Sequence, residues 1–154
     1  MAISLVGRSA VAIFDIPMAI LIHKRRVALA DTDSAGLLYF ASQLQYAHEA
    51  YEKLLAEIDL PVQQIIERET FLIPLVHLES DYLARLQVDD ELEIRTEIEK
   101  IGNTSFVLMH QLFKAGSLVG KVETVHVALD KQSREKTPLP DKLRQGLEQF
   151  RDAS

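Results

Sequence analysis

The chain has no cysteine among its 154 residues, which excludes disulfide bonds, a thiol nucleophile and zinc–thiolate sites and fits a reduced, cytoplasmic setting. An excess of positive charge is also missing, since 17 lysines and arginines stand against 23 acidic residues for a net charge of −6. Nucleic-acid surfaces need clustered basic residues. The longest basic run, 23–26, is instead typical of an exposed strand start or a patch for a small anion. We therefore expect no nucleic-acid partner.

Long hydrophobic runs are absent too. Residues 1–22 are mostly apolar, but Arg8, Asp15 and Pro17 interrupt them. A membrane-spanning helix needs about 20 consecutive apolar residues and a signal peptide begins with a basic region, so we expect neither. The chain shows no repeat or linker and has a length typical of one domain, so we interpret 1–17 as an N-terminal extension and 18–154 as a single domain. Glycine-rich dinucleotide and phosphate-binding patterns are absent, and nucleotide-binding folds lack support.

One long amphipathic helix is the main local feature that the sequence does contain. Between 41 and 58 the apolar residues recur with the 3.6-residue period of a helix that has one buried face; they are Leu44, Ala47, Tyr51, Leu54, Leu55 and Ile58. Pro61 ends this helix and starts a short helical turn over 62–68. A second short helix, with apolar residues on one face, is predicted over 141–151.

Strands separated by short turns make up most of the remaining chain. They are predicted over 20–30, 71–83, 91–101, 105–114 and 118–130. Pro74 marks a sheet edge or a bulge within the second of them. The fourth strand is apolar on both faces, so that one face can cover the helix while the other needs a partner subunit. These elements predict an α+β fold in which the long helix lies across one antiparallel sheet, and a homo-oligomer, either a dimer or a tetramer.

The segment 31–40, with the sequence DTDSAGLLYF, is the most specific signal in the chain. Two carboxylates precede a tight glycine turn that leads into the N-terminus of the long helix, where unpaired backbone N–H groups collect. Such donors can polarise a carbonyl group while a carboxylate attacks it or activates water. Asp33 is our candidate for that carboxylate, and the alternative is an aspartate that only caps a turn. Asp31 is interpreted as a turn or supporting acid.

The segment 27–40 resembles the signature of the 4-hydroxybenzoyl-CoA thioesterase family, in which a strand is followed by Asp-x-Asp-x-x-Gly, two apolar residues and an aromatic pair. The resemblance covers about 20–140. It implies a hot-dog fold, in which a five-stranded antiparallel sheet wraps around one long helix and a short C-terminal helix follows. It further implies an acyl-CoA thioesterase without a cofactor, with Asp33 as nucleophile or general base. The backbone N–H of Phe40, together with that of Tyr39 or Ala41, would polarise the thioester carbonyl, and the sites would form at a dimer interface.

Within that family, segments 46–52 and 74–77 are similar to the cyanobacterial 1,4-dihydroxy-2-naphthoyl-CoA hydrolases of phylloquinone synthesis. This similarity implies an aromatic acyl-CoA as substrate, in phylloquinone or menaquinone synthesis. Two alternatives stay open: a thioesterase for short or medium straight-chain acyl-CoA, and a hot-dog protein that binds acyl-CoA or acyl-carrier protein without turnover. The intact Asp33 in the full motif argues against the second.

The long helix carries further candidates. His48 follows Leu44 by four residues, which predicts a place on the buried face, where it either contacts the aromatic acyl group or is a core residue. Glu49 precedes Lys53 by four residues, a spacing that favours a surface ion pair.

Substrate-binding candidates also lie in the strands and turns. His77 and His126 are placed within strands and are pocket candidates by similarity to the family. The candidates for holding the CoA phosphates are Lys100, Ser105, Lys131, Arg134 and Lys136. For each candidate phosphate contact, the alternative is that the residue only lies in a solvent-exposed polar loop. No H-x-H or H-E-x-x-H spacing is present, so we expect no metal site.

Overall fold

The computed structural model describes residues 19–153, so the proposed extension over 1–17 lies outside the described residues and the domain boundary stays a prediction. The helices are α1 (Phe40–Glu57), α2 (Val62–Arg68) and α3 (Asp141–Asp152). The strands are β1 (Leu21–Arg26), β2 (Phe71–Leu72), β3 (Leu75–Tyr82), β4 (Glu91–Ile101), β5 (Ser105–Lys114), β6 (Ser117–Val127) and β7 (Leu129–Asp130). A 3-10 turn, Leu29–Asp31, lies between β1 and α1.

Five of the strands form one antiparallel sheet in the order β1-β4-β5-β6-β3. The helix α1 packs on one face of this sheet, and β2 pairs with β7 in a separate two-stranded piece. This architecture confirms the predicted α+β hot-dog fold with one long helix, a five-stranded antiparallel sheet and a short C-terminal helix.

The core lies between α1 and the sheet, and the alternation of the strands explains it. Along β4, Leu92, Ile94 and Ile98 are buried against the helix, while the intervening side chains face the other way. Along β5 the same alternation buries Phe106 and Leu108. The residues between them on β5 are half-buried, which leaves the outer face of this strand partly open to a neighbour.

The predicted strands are shorter than expected at three places. The strand over 20–30 ends at Arg26. The Val27 N–H still donates to the Asp90 carbonyl (2.9 Å), but the Asp90 N–H donates to the Gln87 carbonyl (3.2 Å) and not back to Val27, so the ladder stops and the chain enters the 3-10 turn. The strand over 71–83 divides at Pro74, which has no N–H to donate, so that β2 pairs with β7 and β3 with β6. The strand over 118–130 divides at Ala128, whose N–H donates to the Thr104 carbonyl (2.9 Å).

The strand β3 forms one edge of the sheet and leaves several apolar side chains exposed. They are Leu75, Val76 and Tyr82, together with Leu83 just beyond the strand. Unpaired edge strands of this kind are sites where a second chain can pair. Within the described residues, 19–153, none of the helices combines the length and the apolarity that crossing a bilayer requires.

Candidate active site

The motif residues form a tight loop that leads from the 3-10 turn into α1. Thr32 and Leu38 pair across the base of the loop. Inside it, the Asp33 N–H donates to the Leu37 carbonyl (2.9 Å) and the Gly36 N–H donates to the Asp33 carbonyl (3.0 Å). Gly36 has a φ of +76°, a left-handed conformation that favours glycine. The turn therefore presents Asp33 at an exposed tip.

The Asp33 carboxylate is held on one side only. Its Oδ1 accepts hydrogen bonds from the backbone N–H groups of Ala35 (2.8 Å) and Leu37 (3.4 Å). Its Oδ2 accepts none from the residues that the structure describes. Asp33 therefore caps its own turn through Oδ1, while its Oδ2 has no hydrogen-bond partner in the described part of the chain.

The N-terminus of α1 provides the expected hydrogen-bond donors. The helix begins at Phe40 without a side-chain cap, and across residues 19–153 no group accepts a hydrogen bond from the backbone N–H of Phe40 or Ala41. The side chains of Tyr39 and Phe40 are exposed and contact each other. The Tyr82 hydroxyl donates to the Phe40 carbonyl (2.6 Å) and so ties the helix start to the end of β3. The same loop therefore carries a carboxylate and two amide donors.

Asp31 differs from Asp33 because its side chain is buried and one of its carboxylate oxygens has three partners. Its Oδ2 accepts hydrogen bonds from the Tyr46 hydroxyl (2.7 Å) and the Ala28 N–H (2.9 Å), and the Arg25 guanidinium lies 3.4 Å away. Of the two aspartates, only Asp33 has an exposed side chain.

His48 lies on the exposed side of α1, so its predicted place on the buried face is wrong. Its side chain is 58% exposed and its Nε2 is 3.7 Å from Glu52 Oε1. The buried face of the helix runs instead through Tyr46, Ala47 and Ala50. Leu44, from which the spacing was counted, is itself only half-buried. His48 is therefore accessible to a ligand or to a second subunit.

The predicted pairing of Glu49 with Lys53 is also wrong. Glu49 Oε2 accepts a hydrogen bond from Arg25 Nε (3.1 Å) and lies 3.1 Å from His23 Nε2. Both partners come from β1, which passes beside this part of the helix. Only the tertiary packing brings these oppositely charged side chains together.

The two strand histidines have different surroundings. His77 is exposed on β3, with Nε2 3.2 Å from Glu79 Oε1. His126 is buried on β6 and stacks on the Tyr51 ring at 4.1 Å. Burial, together with the nearby His48, lowers the pKa of His126 to about 4. His77 is accessible to a substrate, whereas His126 is a core residue.

A second buried histidine was not identified from the sequence. His110 on β5 is fully buried, and its Nδ1 lies 2.7 Å from Thr96 Oγ1 while its Nε2 lies 3.3 Å from Thr124 Oγ1. Thr124 Oγ1 also lies 3.1 Å from His126 Nε2, which links the two histidines. Burial, with the nearby His126 and His48, lowers the pKa of His110 to about 3. Both rings are neutral at pH 7.

The candidates for CoA phosphates lie in two segments that touch. Lys100 is exposed near the turn between β4 and β5, and Ser105 follows that turn. Arg134 is exposed in the loop after β7, and the Leu139 N–H at the end of this loop donates to the Asn103 carbonyl (2.8 Å) in the turn. Lys131 instead donates to backbone carbonyls at the C-terminal end of α2. The described residues contain no group of three or more histidine or acidic side chains arranged to hold a metal.

Comparison with known proteins agrees with this fold. The family model of the thioesterase-like superfamily matches residues 27–147 of the sequence. The chain therefore belongs to that family. The predicted resemblance is thereby confirmed.

Two curated relatives are each named 1,4-dihydroxy-2-naphthoyl-CoA hydrolase. The protein of Synechocystis sp. is 38% identical over 120 residues, which is 77% of this chain and 87% of the relative. The protein of Nostoc punctiforme is 36% identical over 126 residues, which is 82% of this chain and 85% of the relative.

Solved structures show the same likeness. A 1,4-dihydroxy-2-naphthoyl-CoA thioesterase from Synechocystis superposes with a TM-score of 0.78 at 34% identity, covering 83% of this chain and 95% of that one. A gentisyl-coenzyme A thioesterase superposes with a TM-score of 0.75 at 25% identity, covering 82% and 99% of the two chains.

Proposed function

We propose that the protein is a cytoplasmic acyl-CoA thioesterase that hydrolyses an aromatic acyl-CoA, with 1,4-dihydroxy-2-naphthoyl-CoA as its substrate. The observation that carries this proposal is the motif loop, in which Asp33 presents one carboxylate oxygen while the adjacent helix start presents the N–H groups of Phe40 and Ala41. The substrate is chosen because curated relatives above 30% identity have that name.

The geometry supports different roles for the Phe40 N–H and the Asp33 carboxylate. The thioester carbonyl oxygen accepts a hydrogen bond from the Phe40 N–H, which stabilises the negative charge that develops on this oxygen. In one route the Asp33 carboxylate attacks the carbonyl carbon and displaces the CoA thiolate, and water then hydrolyses the acyl–aspartyl anhydride that has formed. In the other route Asp33 takes a proton from a water that attacks the carbonyl carbon, and the CoA thiolate leaves. Both routes consume one water and release the carboxylic acid and the CoA thiol. No residue on this path requires a cofactor.

We also propose that the working form is a homo-oligomer, a dimer or a tetramer, with sites at the dimer interface. The exposed edge strand β3 with its apolar side chains supports a dimer, and the half-buried outer face of β5 supports a further contact. His48, exposed on α1, is our candidate for contact with the acyl ring, and His77 and Tyr39 are further substrate-binding candidates. Lys100, Ser105 and Arg134 are proposed to hold the CoA phosphates.

A hydrolysis panel tests the proposal. Release of free thiol is measured with naphthoyl-, benzoyl-, hexanoyl- and palmitoyl-CoA as substrates. We expect the highest kcat/KM for the dihydroxynaphthoyl thioester. An equal or higher kcat/KM for a straight-chain thioester would favour the straight-chain alternative. Tight binding of all the thioesters without thiol release would favour a binding protein.

A further inference from the structure

Asp31 contacts three parts of the structure: the segment after β1, the start of α1 and the middle of α1. Its buried carboxylate accepts hydrogen bonds from the Tyr46 hydroxyl in the middle of α1 (2.7 Å) and from the Ala28 N–H after β1 (2.9 Å). Its backbone carbonyl accepts hydrogen bonds from the Tyr39 N–H (2.8 Å) and the Ser42 hydroxyl (2.9 Å) at the start of α1. The two ends of the motif loop are therefore joined to each other and to the helix.

Further charged groups extend this arrangement to β1. The Arg25 guanidinium lies 3.4 Å from Asp31 Oδ2, donates to Glu49 Oε2 (3.1 Å) and covers the Tyr46 ring at 4.8 Å from its centre. His23 Nε2 lies 3.1 Å from the same Glu49 oxygen. We call these five residues, His23, Arg25, Asp31, Tyr46 and Glu49, the Asp31 network.

The network is poorly suited to the reaction itself but well suited to holding geometry. Asp31 is only 7% exposed and Tyr46 is fully buried. Burial and the hydrogen bond to Asp31 both raise the pKa of the Tyr46 phenol, so this group stays a neutral donor. Loss of one partner of a buried carboxylate costs much free energy. The contacts of Asp31 therefore hold its side chain in one position.

We propose that Asp31 and Tyr46 are positioning residues that set the distance between the Asp33 carboxylate and the Phe40 N–H. Asp33 follows Asp31 by two residues. Phe40 directly follows Tyr39, whose N–H donates to the backbone carbonyl of Asp31. Both proposed catalytic groups are thus within two residues of a point fixed by this network. This inference rests on the proposed function, because the two groups matter only if the loop binds a thioester.

The test is the variant Tyr46→Phe, which removes the hydroxyl and keeps the ring. The matched control is Thr96→Val, which removes another buried hydroxyl with a 2.7 Å contact, to His110, at a position in the core without a role in the loop. A displacement of about 1 Å between reacting groups can reduce a rate by about 100-fold. We expect Tyr46→Phe to lower kcat by about 10- to 100-fold with KM changed less than about threefold, and Thr96→Val to leave kcat unchanged.

Amide hydrogen exchange supplies a readout that does not depend on activity. We expect Tyr46→Phe to accelerate exchange about tenfold or more at Gly36, Leu38 and Tyr39, whose N–H groups are hydrogen-bonded within or beside the loop. Thr96→Val should leave these amides unchanged. Equal exchange in both variants, or an unchanged kcat in Tyr46→Phe, would overturn the proposal. A wild-type protein that hydrolyses no thioester but shows the exchange difference would refute the proposed function and leave the structural role of the network standing.

Discussion

At the scale of single residues, Asp33 differs from Asp31, the other acid of the loop, because the Asp33 side chain is exposed and the Asp31 side chain is buried. In Asp33→Asn the amide oxygen can still accept the Ala35 N–H, so the turn should remain folded. Because an amide can act neither as a base nor as a nucleophile here, we expect kcat to fall by at least ~100-fold. Steady-state kinetics with the naphthoyl thioester measures this.

The control for Asp33 is Asp130→Asn. Asp130 is also a turn aspartate, whose Oδ1 accepts hydrogen bonds from the Gln132 and Ser133 N–H groups. We expect its substitution to leave kcat unchanged. If Asp33→Asn retained most of the wild-type kcat, Asp33 would not be the catalytic carboxylate.

His48 is the residue that should report on the acyl group. Its exposed imidazole can form a hydrogen bond with a ring hydroxyl, whereas a straight acyl chain has no group to pair with it. Loss of such a bond costs about 1–3 kcal/mol. We expect His48→Leu to lower kcat/KM for the dihydroxynaphthoyl thioester about 5- to 150-fold more than for hexanoyl-CoA. An equal loss for both substrates would show that His48 does not recognise the hydroxylated ring.

At the scale of elements, β5 and β6 place two neutral histidines in the core, and this should make stability depend on pH. The pKa of His110 is lowered to about 3 and that of His126 to about 4, so between these values and about 6.5 the unfolded chain binds more protons than the folded one. Stability is therefore full above about pH 6.5 and falls as the pH drops toward 4. The loss is on the order of 2 kcal/mol for each histidine at pH 5.

Urea denaturation at pH 7 and pH 5 measures this effect. His126→Phe keeps a ring between Tyr51 and Phe106 but cannot be protonated. The variant should lose part of the difference in unfolding free energy between the two pH values. His77→Gln, at an exposed position, should keep the whole difference. A pH dependence equal to that of the wild type in His126→Phe would show that this ring does not carry the effect.

At the scale of the whole molecule, the apolar edge strand predicts assembly. We expect sedimentation equilibrium at micromolar concentration to give a mass at least twice that of the 17.4 kDa chain. Val76→Lys places a charge on the β3 edge, where edge lysines oppose pairing, and should shift the protein toward monomer and reduce activity. Ile66→Lys on α2, with 56% exposure against 54% for Val76, is the matched control. A wild-type protein that sediments only as a monomer would refute the oligomer.

Local patterns in the sequence by themselves determined much of this protein. The helix period placed α1 within one residue at each end, and α2, β4 and β5 have the predicted bounds, because periodicity and turn residues act over a few neighbouring positions. The motif, with its glycine turn and following helix, was sufficient to locate the loop of Asp33 and Phe40 for the same reason.

Only the tertiary structure decided which side chains meet. Glu49 pairs with Arg25 and His23 across 24 and 26 positions of the chain, and Asp31 meets Tyr46 across 15. His48 is exposed because the packing of α1 against the sheet, and not the spacing from Leu44, chooses the buried face. Helical spacing fixes which residues share a face, but burial and ion pairing depend on which strands lie opposite that face.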